Sequence, residues 1–63
     1  MNGYYSIIVA LLKKYECYFV RHGRGDHEIW STKEGKRFTV DKGVKKRTTA
    51  NGTLKDAGIN ERI

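Results

Sequence analysis

The sequence predicts an α+β fold with the element order α-β-β-β-α, in which two helices pack on one face of a three-stranded antiparallel sheet. Two observations lead to this prediction. Hydrophobic residues are spaced three and four apart in the first quarter of the chain and near its end, but two apart in the middle. In addition, glycine-containing turns divide the middle into three short apolar segments, a pattern typical of antiparallel strands.

The first helix is predicted over residues 4–15, and either Asn2 or Ser6 can cap its start. Its apolar face follows the spacing of a helix and consists of Ile8, Leu11, Leu12 and Tyr15. The first turns are more apolar than one buried face requires. Either a partner that covers part of this surface or crowding of the helix against the sheet would explain this excess of apolar residues.

The first strand begins near Cys17, where the period changes to two. One of its faces is predicted to carry Cys17, Phe19 and Arg21. As the only cysteine of the chain, Cys17 cannot form an internal disulfide, and we expect it to be a buried strand residue. Gly23 and Gly25 then mark a turn.

The second strand is predicted over residues 26–31, with His27 and Ile29 on one face and Glu28 and Trp30 on the other. Alternation of this kind places one face against a core and the other toward solvent.

A hairpin loop over residues 32–36 follows, in which Gly35 can adopt a positive φ angle. The third strand then covers residues 37–41 and directs Phe38 and Val40 inward.

A basic loop over residues 41–47 leads to a short second helix, for which Thr48 or Thr49 is the predicted cap. Its inner side is formed by Leu54 and Ala57. Gly58 is the expected residue after the carboxyl cap, and Ile59 should pack back against the helix. The predicted arrangement resembles the fold of double-stranded-RNA-binding domains.

With 63 residues, the chain forms one domain over residues 1–63 and buries only about 60% of the surface of its unfolded form. Its 32% charged residues and the absence of an apolar run near ~20 residues argue against a membrane protein. The amino terminus has neither a basic region nor a small-residue cleavage site, so we expect no secretory signal and a cytoplasmic location.

The positive charge is concentrated in the middle of the chain. Between residues 21 and 47, nine basic residues accompany four acidic ones, which accounts for most of the net charge of +6. A polyanion such as single-stranded or messenger RNA is the natural partner for this charge, because every neutralised phosphate releases counterions. The alternative is that the excess of lysine serves only solubility.

Residues 21–30 contain the candidate chemistry, and His27 is its centre. Cleaving RNA without a metal requires a base for the 2′-hydroxyl, a cation near the phosphorane and an acid for the leaving oxygen. Histidine suits the first or the last role, because its ordinary pKa of about 6.5 allows both protonation states near neutrality. The cations predicted near the phosphate are Arg21, Arg24 and Lys36. The alternative is a half-buried strand histidine that is bonded to a loop carbonyl.

Further RNA contacts are predicted on both sides of this stretch. Gly23 and Gly25 can let the backbone approach a phosphate, although plain turn formation also explains them. The basic residues after the third strand are expected to contact phosphates without selecting sequence: Lys42, Lys45, Lys46 and Arg47.

The neighbouring side chains admit two interpretations each. His22 is either a second acid or, more simply, a solvent-facing residue, and Asp26 either orients a histidine or pairs with Arg24. Glu28 is expected to be a solvated strand residue. Trp30 either stacks on a base or belongs to a core or a partner-facing surface. No metal cluster, serine triad or carboxylate pair can be assembled from this sequence, so we expect no cofactor and no small-molecule substrate.

Five segments in this order carry a recognisable pattern: LLKK at 11–14, FVR at 19–21, GDHEIW at 25–30, FTV at 38–40 and LKDAGI at 54–59. Together they resemble the HicA-type toxins of bacterial toxin-antitoxin pairs, which are small basic proteins with a double-stranded-RNA-binding fold. The resemblance spans nearly the whole chain. It implies a metal-independent endoribonuclease that cuts messenger RNA, blocks translation and is held inactive by a HicB-type antitoxin. His27 matches the single catalytic histidine, and Trp30 matches the aromatic residue that follows three positions later.

The chain departs from that family's usual pattern at four places. Serine is common where Asp26 stands, and glycine is usual at the end of the first helix, where Glu16 stands. A proline-glycine pair commonly opens the last helix in place of Arg47 and Thr48, and Gly52 replaces a better helix former. The carboxylate of Asp26 bears most on chemistry, because it lies next to His27.

Overall fold

A computed structural model describes residues 3–63 and confirms the predicted architecture. The elements are α1 (Tyr5–Lys14), β1 (Tyr18–His22), β2 (His27–Ser31), β3 (Arg37–Asp41) and α2 (Arg47–Asp56). The strands form one antiparallel sheet in the order β1-β2-β3, and α2 packs on both β3 and α1. No helix within the described residues is long and apolar enough to span a membrane.

The core lies between the two helices and one face of the sheet. Its members are Ile8, Leu12, Cys17, Trp30, Phe38, Val40, Val44, Ala50, Leu54, Ala57 and Ile59. Burial of each large apolar side chain contributes roughly 1.5–3 kcal/mol before the entropy of folding is counted. The predicted inward residues of β3 and α2 are therefore confirmed. Cys17 is also buried as predicted, although it lies immediately before β1 rather than inside the strand.

Helix α1 ends earlier than predicted, in a Schellman motif. The Cys17 N–H donates to the Leu12 carbonyl at 2.8 Å, and the Glu16 N–H donates to the Lys13 carbonyl at 3.0 Å. This motif places Glu16 in the left-handed region, with φ 67°. Tyr15 is consequently the carboxyl cap, and its side chain is 40% exposed rather than part of the buried face.

Helix α2 ends in the same motif, here with the predicted glycine. The N–H groups of Ile59 and Gly58 donate to the carbonyls of Leu54 and Lys55, both at 2.9 Å. Gly58 has φ 76°, and Ile59 is buried, as expected. Glycine adopts this conformation without the steric clash that a Cβ causes.

Neither helix has a side-chain cap at its start. The prediction that Thr48 or Thr49 caps α2 is wrong, because Lys46 already has the extended conformation of an amino-cap residue (φ −113°, ψ 135°) and the helix begins at Arg47. For α1, Tyr4 occupies the cap position, which places Ser6 inside the first turn, and Asn2 lies outside the described residues.

A β-bulge in β1 reverses one predicted orientation. Phe19 is opposite Trp30, but Arg21 is opposite Ile29, so Val20 is the additional residue between them. Residues opposite each other share a face of the sheet. Arg21 therefore lies on the face opposite to Phe19, which corrects the prediction that both point the same way.

Candidate functional site

All the predicted RNA-contacting residues except Lys36 lie at one end of the sheet. In an antiparallel sheet, the end of β1, the start of β2 and the end of β3 coincide, and His27 is paired with Asp41. A further hydrogen bond joins the two connecting loops, since the Lys42 N–H donates to the Asp26 carbonyl at 2.9 Å. We call residues 21–27 and 41–47 the basic end.

The charge of the basic end is strongly positive. It contains six exposed cationic side chains: Arg21, Arg24, Lys42, Lys45, Lys46 and Arg47. Its acidic residues are Asp26 and Asp41. One oxygen of Asp41 accepts a hydrogen bond from the Gly43 N–H at 2.9 Å, and within residues 3–63 no ion pair joins Asp26 to Arg24. The surface therefore retains the net positive charge that phosphate binding needs.

His27 is exposed, on the face of the sheet that the helices leave uncovered. We call this face the open face. The backbone of His27 is fixed by two hydrogen bonds, from the Gly23 N–H to its carbonyl at 2.8 Å and from its own N–H to the Arg24 carbonyl at 3.1 Å. Its ring makes no hydrogen bond within the described part of the chain, so it is not a half-buried histidine that is bonded to a loop carbonyl.

The two glycines of the turn have different roles. Gly25 has φ 61°, a left-handed conformation that glycine adopts without a steric penalty. Nothing lies within 4 Å of the position of an added Cβ, so it is the backbone conformation of the turn, and not crowding, that favours glycine here. Gly23 lies against His27, and a Cβ there would approach the histidine Cβ and carbonyl oxygen to 3.4 Å. A Cβ at Gly23 would therefore be in van der Waals contact with His27.

The arginines of β1 and the turn accompany His27, whereas Lys36 does not. Because of the bulge, Arg21 lies on the open face, diagonally across from His27 at about 7–8 Å between Cα atoms. Arg24 is exposed in the turn beside them. Lys36 precedes β3 at the other end of the sheet, roughly 16 Å from His27 along the strands, which corrects the expectation that it reaches the same phosphate.

On the helix-facing side, β2 carries a buried carboxylate, which corrects the prediction for Glu28. It is 6% exposed, and its Oε1 accepts hydrogen bonds from the Tyr5 hydroxyl at 2.7 Å and from Trp30 Nε1 at 3.0 Å. Burial by itself would raise the pKa of Glu28, but these two bonds and the nearby charges of Lys42 and His22 lower the pKa below its ordinary value. Burial, followed by the hydrogen bond to Glu28 and the negative charge of Glu28, raises the pKa of Tyr5 to about 12.

The sequence carried only a faint signal for this carboxylate. Because Glu28 and Trp30 alternate with His27 and Ile29, the sequence placed Glu28 on the same face as Trp30. It gave no sign of the hydrogen bond from Tyr5, which is 23 residues away. Trp30 itself is 4% exposed and belongs to the core, as one of its two interpretations predicted.

An open groove lies beside this carboxylate, between α1 and the edge strand β1. Its volume is about 370 Å³, and its lining is Tyr5, Val9, Lys13, Phe19, His22, Glu28 and Trp30. His22 is exposed, as predicted, and its ring stands edge-on to Phe19 at 5.1 Å between centroids. We call this feature the aromatic groove.

Within residues 3–63, no three histidine, cysteine or carboxylate side chains lie together in a way that could hold a metal ion. Comparison with protein-family models, curated proteins and solved structures found no match to this chain. The resemblance to the HicA-type toxins therefore remains a prediction that rests on the five sequence segments named above.

Proposed function

We propose that this protein is a metal-independent endoribonuclease that cuts messenger RNA and so inhibits translation, with His27 as its catalytic residue. The observation that carries the proposal is the position of His27. Its ring is exposed on the open face, at the strongly basic end of the sheet, with Arg21 and Arg24 beside it. The resemblance to the HicA-type toxins supports the same assignment.

In this proposal, the reaction needs only the RNA and the side chains of the basic end. His27 accepts the proton of a ribose 2′-hydroxyl, the 2′-oxygen attacks the adjacent phosphorus, and the bond to the 5′-oxygen breaks. The leaving oxygen takes a proton from the imidazolium that has formed, so that the histidine is regenerated. The products are a 2′,3′-cyclic phosphate and a 5′-hydroxyl. Arg21 and Arg24 stabilise the extra negative charge on the phosphorane.

We further propose a HicB-type antitoxin as the regulatory partner, acting in the cytoplasm. An inhibitor of this site would present carboxylates to the basic end, because opposite charges guide association and exclude competing partners. Antitoxin and RNA should therefore compete for the same surface, and simultaneous binding of both would contradict this part of the proposal.

A second candidate function is an RNA-binding module that cuts nothing. It is favoured by one observation: no carboxylate of the described residues is hydrogen-bonded to the ring of His27, whereas a catalytic histidine is commonly oriented by such a partner. Asp41, its partner across the strands, already uses one oxygen for the Gly43 N–H.

Cleavage of a labelled RNA by the purified protein tests the proposal. We expect His27→Ala to lower the cleavage rate by roughly 10²- to 10⁴-fold while RNA affinity changes little, because the cationic contacts remain. A substrate with 2′-deoxyribose throughout should bind but stay intact, since it lacks the attacking hydroxyl. The proposal fails if wild type and His27→Ala cut RNA equally, or if the wild type cuts none; the latter result together with tight binding would establish the binding module.

A further inference from the structure

The aromatic groove exposes an unusual amount of apolar surface for a site next to a core. Phe19 is 42% exposed, although its ring contacts Trp30 edge-on at 6.2 Å between centroids. The reason lies in the topology. Because α2 packs over β3 and α1, it does not cover the helix-facing side of β1, and the groove stays open along that edge strand.

The floor of the groove offers one hydrogen-bond acceptor. Both donors to Glu28 use Oε1, and within residues 3–63 nothing donates to Oε2. Every fully buried polar side-chain atom of the described residues has a partner, so Oε2 must reach solvent. The groove that Glu28 lines is the opening through which it does so. Tyr5 and Trp30 both bind Oε1, which leaves Oε2 as the oxygen available to a ligand.

The surrounding charges indicate what the groove can accept. Lys13 and His22 stand at its sides, and Lys42 acts on Glu28 from the basic end. A cationic side chain of a protein partner would be repelled by these groups and by the net charge of +6. A flat, neutral group with an N–H donor, carried on an anionic backbone, fits both the acceptor and the cations. A nucleobase of single-stranded nucleic acid has this chemistry.

Gly23 separates the aromatic groove from His27. His22 lies on the helix-facing side opposite Glu28, His27 lies on the open face, and Gly23 is hydrogen-bonded to His27 between them. Without a side chain at Gly23, an RNA strand can cross from the open face to the groove at this point. A base next to the cleaved bond can therefore reach Glu28.

We propose that the aromatic groove binds one nucleobase of the RNA substrate and selects the bases that present an amino group, namely cytosine, adenine and guanine, over uracil. This inference rests on the proposed function, because the base belongs to the strand that passes His27. The base stacks on Phe19 and donates its amino N–H to Glu28 Oε2. Uracil is disfavoured because it has no amino group, and its one N–H donor on that edge lies between two carbonyl oxygens that the carboxylate repels.

Binding of 2′-O-methyl hexanucleotides tests the inference without cleavage, since their 2′-oxygens cannot attack. Fluorescence anisotropy of labelled oligo(C), oligo(A) and oligo(U) at low salt measures the affinities. We expect the wild type to bind oligo(C) and oligo(A) about five- to tenfold more tightly than oligo(U), a difference typical of one base-edge hydrogen bond. Equal affinities for the three oligonucleotides would overturn the inference.

Two variants separate stacking from selection. Phe19→Ala should weaken all three complexes by about 5- to 100-fold through lost stacking, and it should fold because Phe19 lies outside the buried core. Glu28→Gln keeps an oxygen for Tyr5 and Trp30, which turns its NH₂ group into the groove, so the preference should shift toward oligo(U). An unchanged preference in Glu28→Gln would contradict the assignment.

Tyr18→Ala is the matched control, because Tyr18 is an aromatic residue of the same strand, 53% exposed and outside the groove. We expect it to bind all three oligonucleotides as the wild type does. Should Phe19→Ala alter self-association in sedimentation experiments but leave RNA affinity unchanged, the groove docks a second copy and the inference is overturned. Cleavage that depends on His27 without any base preference would overturn the groove alone, whereas an absence of RNA affinity would overturn the proposed function as well.

Discussion

Replacing Glu16 by glycine should stabilise the protein, because Glu16 is held in a backbone conformation that suits glycine. Its φ of 67° is imposed by the Schellman motif at the end of α1. A left-handed conformation costs an L-residue about 1–2 kcal/mol, and the greater freedom of glycine in the unfolded chain costs about 0.5–1 kcal/mol. The expected net gain in the free energy of unfolding is therefore about 0.5–1 kcal/mol.

The side chain of Glu16 contributes little that would offset this gain. Its carboxylate lies 3.4 Å from Lys33 Nζ, but both side chains are more than 60% exposed (68% and 62%), and such surface pairs contribute roughly 0–1 kcal/mol. Glu16→Ala provides the control. It removes the ion pair but keeps the Cβ and its strain, so we expect the stability of Glu16→Ala to stay close to that of the wild type.

Urea unfolding followed by the fluorescence of the single tryptophan, Trp30, measures the effect, because Trp30 is buried in the core. In thermal unfolding, each kcal/mol corresponds to roughly 4–8 °C for a domain of this size. If Glu16→Gly is no more stable than Glu16→Ala, the reasoning from backbone strain is refuted.

Three further predictions concern pH, helix ends and salt. Folding lowers the pKa of Glu28, so the contribution of the ionised carboxylate to stability is present above its unfolded pKa and is lost as the pH falls through the lower native pKa. Urea midpoints between pH 6 and 3 should therefore drop more in the wild type than in Glu28→Gln. Parallel curves for the two proteins would count against this linkage. Gly58→Ala should destabilise the protein by about 1 kcal/mol, because residue 58 has a φ of 76°. Gly52→Ala should stabilise the protein by up to about 1 kcal/mol, because Gly52 lies inside α2 with open space around it. Equal shifts of the two urea midpoints would contradict this contrast. If four or five phosphates are contacted, log affinity for single-stranded RNA should fall with log salt at a slope of roughly −3 in anisotropy titrations, and a flat response would remove the electrostatic part of the proposal.

Much of the fold was determined by local properties that can be read along the chain. The change of hydrophobic period placed both helices and all three strands, because side-chain direction depends only on the periodicity of the backbone. Turn chemistry placed Gly25 and Gly35, both of which have positive φ angles. The same alternation placed His27 and Glu28 on opposite faces of the sheet.

What the tertiary structure alone decided depends on contacts between distant residues. The bulge at Val20 moves Arg21 to the face of His27, and no local pattern marks it, since it depends on the pairing of β1 with β2. The burial of Glu28 depends on a hydrogen bond from Tyr5, 23 residues earlier, together with one from Trp30. Sequence patterns report the preferences of single segments, whereas the groove and the basic end exist only where several segments meet.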